Sequence, residues 1–135
     1  IFFNHNAAEP FPEAVKDTLI QLFDRQKNLK SELKHIKENI IKYCSPEKII
    51  LFGSLAQEET HEWSDLDLAI IKKTDLEFID RSAEILRIIR PRMGINLFVY
   101  TPDEFCRLQR EGNFFIKDEI EKKGKIIYDR TTGLV

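Results

Sequence analysis

A chain of 135 residues, 42% hydrophobic and 33% charged, has the size and balance of one globular domain that needs neither disulfides nor a structural metal. Its formal net charge of −2 supplies no global positive field, so long nucleic acid is not an expected partner. No apolar run approaches the roughly 20 residues of a membrane helix, and no secretory leader is legible. Ile1 in place of Met leaves room for residues upstream. Cys44 and Cys106 lack metal-ligand spacing and read as two buried, reduced thiols, so a cytoplasmic location is expected.

In chain order, residues 12–26 carry Val15, Leu19, Leu22 and Phe23 at helical spacing, with Pro12 suited to the first helical position. Leu29, Leu33, Ile36, Ile40 and Tyr43 form a second stripe, which ends before Pro46. We read two helices, the second capped by Asn28, in preference to one long one. Lysines and glutamates are interleaved over residues 25–42, as on a solvated helix face.

Lys48–Phe52 is a short apolar run before Gly53 and predicts a buried strand; residues 65–71 predict a second. Thr74 and Glu77 have capping-box spacing and open a helix with Leu76, Ile79, Ala83, Leu86 and Ile89 inward. Pro91 and Gly94 close it, and Ile95–Tyr100 is the third strand. Thr101, Pro102 and Glu104 start another helix, stopped by Gly112. Asn113 caps a last helix ending at Gly124, and residues 125–128 form a fourth strand. This order predicts an α/β (α+β) domain: a mixed sheet of about four strands, covered mainly on one face, with an N-terminal helical extension. The expected divisions are residues 1–28, 29–129 and a tail at 130–135.

Chemistry concentrates in residues 51–71. Gly53-Ser54 directly follows a buried strand, and residues 55–58 can begin a helix. There a glycine lets the backbone approach a ligand, and exposed N–H groups with the Ser54 hydroxyl favour a phosphate. Asp65 and Asp67, two apart on a strand, leave the same face. Paired carboxylates beside phosphate oxygens are what Mg²⁺ prefers. Taken singly, a Gly-Ser turn or an Asp-x-Asp is commonplace. Together, at this spacing, chance produces them on the order of once in a thousand chains of this length.

Gly53-Ser54, ten residues, then Asp65-Leu66-Asp67 resembles the signature of the minimal nucleotidyltransferases of the DNA polymerase beta superfamily. INLFVYTPDEF (residues 95–105) and KKGKIIYD (residues 122–129) resemble that family's third core strand with its following helix, and its closing strand. The resemblance implies the nucleotidyltransferase fold, with Gly53, Ser54 and Ser64 on the nucleotide and Asp65 and Asp67 as catalytic Mg²⁺ ligands. It implies transfer of a nucleoside monophosphate from a nucleoside triphosphate, with ATP the expected one, to a hydroxyl.

The third carboxylate usual in that family falls at Asn96, which can neither neutralise a cation nor take a proton. Basic residues common in the family are replaced by Leu55 and Gln57. Transfer is therefore expected to be weak. The rival expectation is a degenerate, antitoxin-like domain partnered by a small helical protein. The stripe in residues 12–26 suggests a homodimer interface. His61 and Trp63 fall in the loop before Ser64, with Trp63 read as an apolar anchor; His5 and His35 read as surface residues.

Overall fold

The computed structural model describes residues 13–57 and 65–134, and side chains from Leu29 onward. Pro12, His5, His61, Trp63 and Ser64 lie outside the described residues, as do the side chains of the stripe in residues 12–26.

The first element is one helix, α1, spanning Glu13–Cys44, where two had been expected. Its sequence offers no Pro or Gly to break the backbone ladder, and Asn28 sits within it. Ile36, Ile40 and Cys44 face inward along an i, i+4 line, which leaves Tyr43 58% exposed. Cys106, expected to be buried, is exposed; both thiols are free.

The strands β1 (Lys48–Phe52), β2 (Leu66–Ile71), β3 (Ile95–Tyr100) and β4 (Lys125–Asp129) form one sheet ordered β3-β2-β1-β4. β1 is antiparallel to both β2 and β4, whereas β2 and β3 run parallel. The sheet is therefore mixed, as the alternation of elements requires. Its central strands are near-continuous apolar runs because both faces are buried, which corrects the expected one-sided cover.

On one face α1 and α2 (Phe78–Ile89) pack Ile36, Ile40, Ile85 and Ile89 onto Ile49, Leu51, Leu68 and Ile70. On the other, α3 (Pro102–Arg110) and a π-helix (Phe115–Lys122) cover Ile50, Phe52, Ala69 and Ile71 with Phe105, Ile116 and Ile120. An ordinary α-helix had been expected there. Its wider winding shows in the Lys123 N–H donating to the Asp118 carbonyl, five residues back, at 3.2 Å. The Asn113 side chain accepts from Ile116 N–H at 3.1 Å and so starts this helix as expected. No helix among the described residues is long and apolar enough to cross a membrane.

α2 starts later and is turned differently from its hydrophobic pattern. Thr74 accepts from Leu76 N–H at 3.1 Å, a local turn, and the helix begins at Phe78. Its buried residues are Arg81, Ile85 and Ile89, whereas Ile79 is 78% exposed. Arg81 sets that rotation. Its guanidinium makes a two-pronged pair with Glu104 at 2.6 and 3.0 Å and donates to the carbonyls of Leu76 and Val99. A buried guanidinium must find such partners. The turn that satisfies it swings Ile79 and Ala83 outward.

At α3, Thr101 and Glu104 complete the expected capping box, with Pro102 in the first turn. Glu104 thus joins α3 to α2 across the far end of β3. Residues 130–134, expected as a tail, fold back so that Asp129 N–H donates to the Leu134 carbonyl at 2.9 Å.

Candidate functional site

The register of the strands assembles the site at the other end of the sheet. Phe52 of β1 lies opposite Asp67 of β2, and Asp67 lies beside Asn96 of β3. Directly paired residues share a face, so these three side chains form one rung. Asp65 immediately precedes β2 and is exposed; the strand starts one residue later than expected.

Two glycines give the carboxylates their places. Gly53 has φ +73°, a left-handed conformation that glycine adopts without strain. A Cβ there would overlap Oδ2 of Asp67 and lie 3.0 Å from its Cγ. A Cβ at Gly94 would likewise overlap Oδ1 of Asp65 and lie 2.8 Å from its Cγ. Each aspartate therefore fills a space that only a missing side chain leaves open. Gly94 also accepts from Leu66 N–H at 3.0 Å, which ties the start of β3 to the start of β2. Sequence reasoning treated Gly94 only as a helix stop. The signal for its second role was its position directly before the third strand, beside the partner strand's Asp65.

After Gly53 the chain turns tightly: Ala56 N–H donates to Gly53 and Gln57 N–H to Ser54, both at 3.2 Å. These are successive turns up to Gln57, and the helix expected to begin at residue 55 would run on into residues outside the described ones. Leu55 is half-buried and Gln57 exposed.

Burial, chiefly, raises the Asp67 carboxyl above the usual carboxylate range; the Asn96 hydrogen bond pulls it back, and the charge on Asp65 raises it further. Asn96 donates from Nδ2 to Oδ1 of Asp67 at 2.8 Å. An ionised carboxylate only accepts, so the amide must offer its NH₂ side and turn its oxygen away. One oxygen of Asp67 is held by Asn96 while the other faces Gly53. The structure thus brings Gly53, Asp65, Asp67 and Asn96 together, with Ser54 next in the turn. Among the described residues no group of three or more His, Cys, Asp or Glu side chains is placed to hold a metal ion.

A family model described as "Polymerase beta, Nucleotidyltransferase" matches residues 34–132. The fold is similar to the crystal structure of a "putative nucleotidyltransferase" from Sulfolobus solfataricus, with a TM-score of 0.51 and 21% identity over 79% of this chain and 91% of that one. At that identity the likeness speaks to fold alone. A search of curated proteins finds no match.

Proposed function

Since the chain belongs to the polymerase beta nucleotidyltransferase family, we propose that it is a degenerate member, one that binds a nucleoside triphosphate with magnesium but transfers its nucleotide feebly or not at all. In this reading the domain serves as the nucleotide-binding, antitoxin-like partner of a small helical protein. Gly53, Ser54 and Ser64 contact the triphosphate, ATP by expectation, and Asp65 and Asp67 share one Mg²⁺ with the phosphates.

The donor set suits that ion. Mg²⁺ commonly takes one or two carboxylates and completes its shell with water and phosphate oxygens. The charge on Asp65 adds to what raises the Asp67 carboxyl, and a cation beside the two would relieve that repulsion.

The observation that carries the reading is the Asn96–Asp67 hydrogen bond. At the position of the family's third carboxylate, the side chain donates a proton where a second metal would need a negative oxygen. It cannot serve as base for the acceptor hydroxyl, a role typically worth ~10²–10⁴-fold in rate. A protein partner is favoured by the start of α2, where Phe78 and Ile79, with Leu76 just before the helix, are 49%, 78% and 36% exposed. Exposed apolar side chains clustered in sequence in this way favour a contact face.

The retained glycines and aspartates favour one second reading, a slow but competent transferase. Calorimetric titration of ATP, with Mg²⁺ and with a chelator, tests binding; product analysis with labelled ATP tests transfer. Mg²⁺-dependent binding without product supports the degenerate reading. Turnover unchanged by Asn96→Ala refutes it. Light scattering separates a homodimer from a monomer that awaits a partner.

A further inference from the structure

Beneath the rung of Phe52, Asp67 and Asn96 lies a second one: Ile50, Ala69 and Phe98, in register across the same three strands. Phe98 therefore stands on the same face as Asn96, one rung in, and Ala69 between the large side chains leaves its ring room to lean. Phe115, the first residue of the π-helix, closes over this point from above. The rings of Phe52, Phe98 and Phe115 meet pairwise at centroid separations of 5.6, 5.5 and 5.2 Å. Phe52 is buried, whereas Phe98 and Phe115 are only half-buried. The next ring, Phe114, is 76% exposed.

Aromatic rings thus begin at the rung of Asp67 and continue one rung inward. Successive rungs on one face are ~6–7 Å apart along a strand, close to the span a ribose places between its 5′-phosphate and its base. π-helical turns also recur at ligand sites more often than in plain scaffolds. The core buries Phe52 and packs one side of Phe98 and Phe115; it does not account for the exposed Phe114 next in the chain.

We propose that Phe98 and Phe115, extended by Phe114, form a stacking wall for the nucleobase of the nucleotide held at Gly53 and the two aspartates. This rests on the nucleotide-binding reading above and assigns the base subsite within it. Apolar rings stack on any base and read no hydrogen-bond pattern. The wall therefore recognises the presence of a base more than its identity, and purines, with the larger face, bind more tightly than pyrimidines.

The test compares ATP with inorganic tripolyphosphate, each with Mg²⁺, by calorimetry on the wild type and on Phe114→Ala, Phe98→Leu and Phe115→Leu. The expected result is tighter binding of ATP than of tripolyphosphate in the wild type. That gap should close by about tenfold in Phe98→Leu and Phe115→Leu, with tripolyphosphate affinity unchanged. Phe114→Ala alters an exposed side chain, so it keeps the fold and must still narrow the gap. A hypochromic change in the adenine spectrum on binding, lost in the variants, identifies stacking directly. Equal wild-type affinity for the two ligands, or variants that weaken both alike, overturns the wall while leaving the phosphate and metal site standing. A wild type that binds neither ligand overturns both.

Discussion

Gly53 and Gly94 each stand where a Cβ would collide with a site aspartate, yet alanine should act differently at the two. At Gly94 the backbone is not left-handed, and the colliding group is the carboxylate of an exposed residue. The Asp65 side chain can rotate aside. Its rotamer cost is ~0.5–1.5 kcal/mol, and the entropy that alanine removes from the unfolded chain offsets about 0.4–1 kcal/mol of it. Stability should therefore change by less than ~1 kcal/mol.

At Gly53 the φ of +73° adds a left-handed penalty of roughly 1–2 kcal/mol. Asp67 is also tethered, so displacing it sacrifices the Asn96 hydrogen bond, worth about 1 kcal/mol. The sum of ~2–3 kcal/mol corresponds to roughly 5–10 °C in melting temperature for a domain of this size. Both variants should weaken Mg²⁺-dependent ATP binding ~10–100-fold, as misdirected metal ligands do. Calorimetric melting without metal, followed by titration with ATP and Mg²⁺, reads both quantities. A Gly94→Ala protein that binds ATP and Mg²⁺ like the wild type would show that Asp65 is no ligand. A Gly53→Ala protein as stable as the wild type would refute the close approach on which the site geometry rests.

Other outcomes are equally specific. Binding of ATP should vanish in chelator, because Asp65 and Asp67 then repel the phosphates; equal affinity with and without Mg²⁺ would remove the metal from the site. Asp67→Asn should keep the metal-free fold as stable or make it more so near neutral pH, since burial raises this carboxyl and its ionised form costs stability above that raised value; a large drop in melting temperature would make Asp67 structural. Glu104 is held at about 2, first by its Arg81 hydrogen bond. Its contribution, ~2 kcal/mol after discounting partial exposure to solvent, should be full above pH 4.5 and lost as pH falls towards 2. In Glu104→Gln that acid-dependent step should disappear from melting curves taken across the range. Asn96→Asp should tighten Mg²⁺ binding, and labelled ATP would show whether transfer returns with it.

Much of this was legible in the sequence because local and global signals agreed. Lys48–Phe52 and Ile95–Tyr100 are short apolar runs bounded by glycine and by Thr-Pro, and a buried sheet is the only use for both. Thr101, Pro102 and Glu104 fixed a helix start through backbone chemistry that needs no tertiary partner. Gly53, Asp67 and Asn96 could be brought together because strand alternation converts spacing into a shared face. What stayed hidden depended on distant partners. On α2, Leu86 and Ile89 face the core as their spacing predicts, but Ile79 and Ala83 do not. The strongest demand on the helix is a guanidinium seeking Glu104, 23 residues away, and hydrophobic spacing is blind to that. The π-winding of Phe115–Lys122 has no periodic mark in eight residues. The second role of Gly94 required knowing that β2 and β3 run parallel, so that both strands begin at the site.

That parallel pairing bears on the degenerate reading itself. Because β2 and β3 start at the same end, Asp67 and Asn96 are direct neighbours rather than residues joined through a loop. A substitution at position 96 therefore acts on Asp67, the proposed metal ligand, without any rearrangement of the fold. With an aspartate there, two neighbouring carboxylates would repel until cations came between them; the metal-free protein would bear that repulsion as a cost. Asparagine replaces it with a hydrogen bond of 2.8 Å. The same atom exchange that would remove a ligand for a second ion thus stabilises the metal-free domain, by about 1 kcal/mol for this exposed hydrogen bond. A protein selected for turnover gains nothing from that trade. One whose task is to stay folded and present a surface, with nucleotide binding retained for control or positioning, does.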